Sequence, residues 1–181
     1  MDYLEQAKQK RRASQTVDYK MKLMDFICCC YVYLTPASYG YQLQQYICHI
    51  LLKLKKLGDE LGLGDFVLNK EFGEFKVTYL SKDNEYNLTH LRQWQNFSYY
   101  LLCFIDCDND FNPEFYLITK EDMGRFKLGF MNGITEENKG QENREKRLTV
   151  KKGSEKHKMF TKYNILSGTS FNDLKTYVKS K

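Results

Sequence analysis

Proline and glycine are scarce in this sequence: two prolines and 11 glycines stand among 181 residues, against 14 tyrosines and 12 phenylalanines. That balance excludes a collagen-like or linker-like chain and argues against wholesale disorder, because aromatic side chains supply large buried area. Long hydrophobic runs are also lacking. The apolar run Phe26 to Leu34 follows Asp25 and is closed by Thr35 and Pro36, about half the ~20 residues that span a bilayer, so no membrane span is expected. Residues 1 to 22 mix acids and bases without an apolar stretch and do not read as a secretory signal. A cytoplasmic location is expected, and Asn87-Leu88-Thr89 and Asn96-Phe97-Ser98 are read as chance glycosylation triplets.

Disulfide and zinc frameworks are absent. Cys28, Cys29 and Cys30 are consecutive in an apolar run, and Cys103 and Cys107 lack a second pair or a histidine pair to complete a zinc site. Cys28, Cys29 and Cys30 are read as buried reduced thiols. What is present is an uneven positive charge, +5 from 28 bases and 23 acids. Bases concentrate at Lys8, Lys10, Arg11 and Arg12 and again from Arg144 to Lys158. Such segments suit a polyanionic partner or form a solvated face.

A chain of this length forms one domain around one core. Helices are expected over Tyr3 to Arg12, Val17 to Tyr33 and Ser38 to about Leu57. In the last, Leu43, Ile47, Ile50, Leu51, Leu54 and Leu57 recur at helical spacing before a stop at Gly58. Strands are expected at Phe66 to Asn69 and Glu74 to Leu80, joined by a turn across Lys70 to Gly73. Asn87 would cap a short helix, Leu88 to Gln95. The strands Tyr99 to Asp106, nearly all apolar and therefore central, and Phe115 to Thr119 follow, with a turn at Asp108 to Pro113. Glu121 to Leu128 reads as helix, Gly129 to Gln141 as loop, Arg147 to Lys151 as strand and Ser170 to Val178 as a closing helix. This order predicts an α/β or α+β domain, a central mixed β-sheet flanked by helices.

Chemistry concentrates around Gly64-Asp65 and Glu74-Phe75-Lys76. Alternate strand residues share a face, so Glu74 and Lys76 project to one side. A turn symmetric about Lys70 to Gly73 sets Asp65 opposite Thr78 on that same face. Two converging carboxylates suit a hard cation such as magnesium, and an adjacent ammonium completes a site for phosphodiester hydrolysis. An incidental Glu/Lys pair on an amphipathic strand would carry the same three letters. Asp106-Cys107-Asp108-Asn109-Asp110 begins like a calcium loop, but Phe111 stands where glycine is needed.

In this order of elements, residues 39 to 120 resemble the PD-(D/E)XK nuclease superfamily, in particular the small Type II restriction endonucleases. The resemblance implies a restriction-endonuclease-like core in which Asp65, Glu74 and the carbonyl of Phe75 hold Mg2+ (Mn2+ substituting) and Lys76 is the catalytic lysine. Gly64 stands where the motif names proline, a substitution the family tolerates. Gln44 is the candidate for the further polar residue that members add from the first core helix. Double-stranded DNA is the implied substrate, a homodimer the implied assembly, and a cognate DNA methyltransferase a partner such an enzyme would have. Residues 1–35 read as a helical region that forms a dimer interface, because Ile27 to Leu34 is unusually apolar, or simply packs on the sheet; 36–128 would be the catalytic core and 129–181 a basic DNA-recognition region.

For DNA contacts, Arg92 and Gln95 would share one helical face and hold a phosphate, unless Arg92 pairs with a nearby acid. Within Thr149 to Lys158, Lys152 and Lys158 are candidates for phosphates, and Lys151, Ser154 and His157 for base edges. Trp94 is expected in the core and His90 at a structural helix start. A non-catalytic nucleic-acid-binding protein, or a nuclease of the same fold that nicks or repairs DNA or cuts RNA, fits the same sequence.

Overall fold

The computed structural model describes residues 18–57, 63–131 and 145–181. The expected helix Tyr3 to Arg12, the first basic cluster, Gly58, Arg144 and most of the loop after Gly129 lie outside them. Helix α1 (Leu23–Tyr33) is followed by α2 (Pro36–Gln44), with Pro36 in the first turn, where its missing N–H has no partner to lose. From Gln45 to Leu51 the helix widens into a π-helical segment. It ends there because Leu54 turns back and its N–H meets the Cys48 carbonyl, so the expected helix to Leu57 is six residues too long.

The main sheet is built from β1 (Lys55–Lys56), β2 (Phe66–Leu68), β3 (Glu71–Tyr79), β5 (Tyr99–Asp106), β6 (Asn112–Thr119) and β9 (Asn164–Thr169), in the order β1-β2-β3-β5-β6-β9. Among the described residues only β3 and β5 pair in parallel, so the sheet is mixed. A second, three-stranded antiparallel sheet has the order β4-β8-β7, from β4 (Glu85–Leu91), β7 (Gly129–Phe130) and β8 (Lys146–Lys151). Short helix α3 (Lys120–Met123), α4 (Glu155–Tyr163) and α5 (Phe171–Lys179) complete the chain. The fold is α+β.

Two cores lie on the two faces of β5, every residue of which is buried. Tyr99, Leu101, Cys103 and Ile105 point to a core shared with α1, α2, the π segment and Leu174 of α5. Tyr100, Leu102 and Phe104 point the other way, to Leu88 and Leu91 of β4, Leu148 and Val150 of β8, Met123 and Phe160. Period-two alternation with both faces apolar is what a central strand requires. Each buried Leu or Phe contributes roughly 1.5–3 kcal/mol. On β3 the first face stays apolar through Phe75 and Tyr79, while Glu74, Lys76 and Thr78 take the second.

The expected helix Leu88 to Gln95 is instead β4 and a turn. Tyr86 and Leu88 are buried and Asn87 and Thr89 exposed, a strand alternation that sheet pairing with β8 enforces over local helical preference. Asn87 caps nothing; its N–H donates to Thr78 Oγ1 at 3.0 Å, tying β4 over β3. Trp94 is exposed rather than in the core. The expected helix Glu121 to Leu128 shortens to α3, capped by Thr119, whose Oγ1 accepts from the Asp122 N–H. Gly129 and Phe130 pair with β8 where loop was expected, and α4 and β9 had no counterpart in the sequence reading. Among the described residues no helix is long and apolar enough to cross a membrane. In the Ile27 to Leu34 run, Ile27 and Cys30 are buried while Tyr31, Val32 and Tyr33 are exposed.

Candidate active site

Asn69 and Lys70 both take positive φ, 52° and 66°, the signature of a two-residue type I′ hairpin turn. The turn is therefore centred earlier than Lys70 to Gly73, and Phe66 pairs with Gly73, Val67 with Phe72 and Leu68 with Glu71. Asp65, just before β2, donates its N–H to the Gly73 carbonyl and so sits beside Gly73 and Glu74, not opposite Thr78. The turn lies two residues earlier than expected, and the two carboxylates come to line one cavity.

Gly64 and Gly73 make this register possible. Gly64 has φ +95°, and a Cβ there would lie 2.6 Å from the Gly73 oxygen. Proline, fixed near −65°, does not fit this backbone, so in this chain glycine at 64 is a requirement rather than a tolerated replacement. The Asp65 N–H donates to the Gly73 carbonyl at 2.8 Å, and the Phe75 N–H donates to Asp65 Oδ2 at 2.8 Å. The N–H and C=O of one strand residue leave toward the same neighbour. The Phe75 carbonyl thus points to the edge where β2 has ended, beside the Asp65 carboxylate.

Glu74 is 3 % exposed, and its Oε1 lies 2.7 Å from Lys76 Nζ. Burial, and next the Glu74 charge, push the Asp65 acid up to about 6, opposed by Lys76, the Phe75 N–H and a hydrogen bond from Gln44. Gln44, the last residue of α2 before the π segment, thus reaches the Asp65 side chain from the helical layer. Asp65, Glu74, Lys76 and Gln44 line one cavity of about 590 Å³, with Tyr39 and Tyr41 of α2 on one side and Asn87, Thr89, His90 and Arg92 on the other.

The donor set is that of a hard cation. Among the described residues no group of three His, Cys, Asp or Glu side chains gathers, so two carboxylates would be completed by the Phe75 carbonyl. Magnesium accepts such a set, taking one or two carboxylates and keeping several waters. Two crowded acids, one with its proton affinity raised by the other, are a site that a divalent cation relieves.

The expected DNA contacts fare differently. Arg92 and Gln95 share no helix face. Arg92 lines the cavity and pairs with Glu145, Nε to Oε1 at 2.9 Å, whereas the Gln95 carbonyl accepts from Lys120 Nζ and its Oε1 is buried without a partner. Lys151, Lys152, Ser154, His157 and Lys158 are not at the cavity. Lys151 is exposed. Lys152 Nζ binds the buried Asp106 at 2.5 Å, Lys158 pairs with Glu155 at 2.6 Å, and Ser154 Oγ accepts the His157 N–H at the start of α4. The His157 ring packs beside Tyr86 and Phe104, takes the Gly153 N–H on Nδ1, and is held below its usual basicity by burial.

Two further residues meet here: Glu145, and His90, which was expected at a structural helix start and stands in strand β4 instead. His90 Nδ1 donates to Glu145 Oε2 at 2.5 Å. Burial opposes ionisation of Glu145, but the hydrogen bonds from Arg92 and His90 outweigh it and hold the acid below its usual range. No signal in the sequence joins residues 90 and 145, which meet only through strand pairing. No protein-family model and no curated protein matches this sequence.

Proposed function

We propose that the chain is a magnesium-dependent endodeoxyribonuclease that hydrolyses phosphodiester bonds of double-stranded DNA, in the manner of a Type II restriction enzyme with a restriction-endonuclease-like core. The observation that carries this reading is the convergence of Asp65, Glu74, Lys76 and Gln44 on the floor of one cavity. Fold order lends less, because β4 stands where the resemblance placed a helix.

Asp65, Glu74 and the Phe75 carbonyl would hold the cation, and Gln44 would orient Asp65 from behind. A bound Mg2+, with Mn2+ substituting, supplies stabilisation of charge at phosphorus and a water of lowered pKa. Lys76 Nζ, fixed by Glu74, directs an attacking water at the phosphorus and offsets the charge that develops on its oxygens. The nearly buried Glu74–Lys76 pair keeps both side chains in place without long flexible excursions. Cutting both strands needs two such sites, and a two-fold homodimer matches a palindromic target. A cognate DNA methyltransferase would protect the host's own sites.

The test is digestion of unmethylated phage-length DNA with magnesium or with chelator, using wild type, Glu74→Ala and Lys76→Ala. Discrete magnesium-dependent fragments, lost in both variants while DNA binding persists, are expected. DNA that shifts in a gel but stays intact under all conditions overturns the catalytic assignment and leaves a binding protein. DNA that neither shifts nor breaks overturns DNA as the substrate and turns attention to RNA.

A further inference from the structure

A bulge in β4 builds a second cluster on the cavity wall. Strand pairing steps from Leu88 opposite Leu148 to Leu91 opposite Lys146, three residues against two. The extra residue is His90, at φ +53°, a conformation that a residue with a Cβ keeps only where its surroundings impose it. Thr89 and His90 are consequently both exposed, and Leu91 returns to the core. Bulges of this kind re-aim side chains beside functional sites. Here Asn87, Thr89, His90 and Arg92 all come to line the cavity that holds Asp65, Glu74 and Lys76.

Past the bulge, one further step of the shifted register sets Arg92 opposite Glu145. Arg92 Nε and His90 Nδ1 then hold the two oxygens of a single carboxylate, at 2.9 and 2.5 Å. Two donors on two oxygens of one anion is also how a phosphodiester's non-bridging oxygens are held. The side chains of Arg92 and Glu145 are 41 % and 33 % exposed, so the pair is wet, contributes little to stability and is exchangeable. The two donors line the cavity, whereas Glu145 does not.

We propose that His90 and Arg92 form a cradle for a backbone phosphate of the nucleic acid, and that Glu145 occupies this cradle in the free protein and is displaced when substrate binds. The idea rests on the phosphodiesterase reading and adds to it a residue that sets affinity. A carboxylate that must be displaced lowers binding of every polyanion, so that only nucleic acid making further contacts in the cavity docks.

The experiment measures affinity of the full-length protein for a fluorescein-labelled mixed-sequence duplex, in chelator so that binding is read apart from cleavage. Glu145→Gln should tighten binding about tenfold. Glu121→Gln, which removes an equally charged carboxylate that also faces an arginine, Arg125, away from the cavity, should change it little. Arg92→Ala should weaken binding, lower the slope of log affinity against log salt by about 0.9, and abolish the gain from Glu145→Gln in the double variant. An unchanged or weaker Glu145→Gln, or an equal gain in Glu121→Gln, overturns the cradle even if the wild type cleaves DNA. Should Glu145→Gln fail to fold by its melting curve, Arg92→Ala decides alone, and an unchanged salt slope overturns the proposal. A wild type that cuts nothing yet shows the Glu145→Gln gain keeps the cradle and removes the nuclease reading; no cutting and no binding removes both.

Discussion

Asp65 is held next to Glu74 by the two residues that flank it, its N–H on the Gly73 carbonyl and its carboxylate on the Phe75 N–H. The two acids therefore line one cavity, Glu74 buried and Asp65 half-buried, with Lys76 two residues further along β3. The neighbourhood of these carboxylates governs most of what the site is expected to do.

Protonation is the first consequence. The folded protein holds Asp65 at about 6 against 3.8 for the free acid. A raised folded value means that stabilisation is complete below the unfolded value and is lost as pH rises through the folded one. In chelator, stability should fall by up to about 3 kcal/mol across that window. Asp65→Asn, which keeps an acceptor for the Phe75 N–H, should remove this part of the fall. Urea unfolding at the two ends of the window checks it, and identical pH dependence of the two proteins would sink the assignment.

Cation binding should relieve the same repulsion. At a magnesium concentration about tenfold above the dissociation constant, linkage adds about 1.4 kcal/mol, or about 3–5 °C in melting temperature for a chain of this size. Calorimetry should show the rise in wild type and its loss in Glu74→Gln. No rise at any magnesium concentration would exclude a cation site here, whatever the activity.

The glycines hold the register. In Gly73→Ala the new Cβ would lie 2.5 Å from the Phe66 ring and 2.8 Å from the Tyr99 ring, and the overpacking should cost about 1–3 kcal/mol. Gly64→Pro should be destabilising by a similar or larger amount because φ +95° is closed to it. Denaturant curves decide, and a Gly64→Pro protein as stable as wild type would refute the turn geometry.

Thiol reactivity should divide the cysteines evenly. Cys30, Cys48 and Cys103 are buried and Cys28, Cys29 and Cys107 only half-buried, and burial raises all six thiols, Cys30 to about 12. A thiol-specific reagent should label three sites in the native protein and six in denaturant. Labelling of all six before unfolding would contradict the packing of α1 against the sheet.

By itself the sequence determined what period and residue chemistry dictate. The alternation from Tyr99 to Asp106 marked a central strand because both faces of such a strand must be apolar, and Glu74-Phe75-Lys76 marked a carboxylate and an amine on one face because strand side chains repeat every two residues. Ser170 and the residues behind it marked a capped helix, since a hydroxyl at that position satisfies an exposed N–H. Tertiary structure decided what pairing dictates. Positive φ at Asn69 and Lys70 is not encoded in a local pattern as it would be by Asn-Gly, yet it moved the turn and brought Asp65 to Glu74. The polar stretch from Asn87 to Gln95 had the composition of a helix start, but hydrogen bonds to β8, more than 50 residues away, made it a bulged strand. Glu145 met His90 and Arg92 for the same reason: a cross-strand neighbour is chosen by register, and register belongs to the assembled sheet.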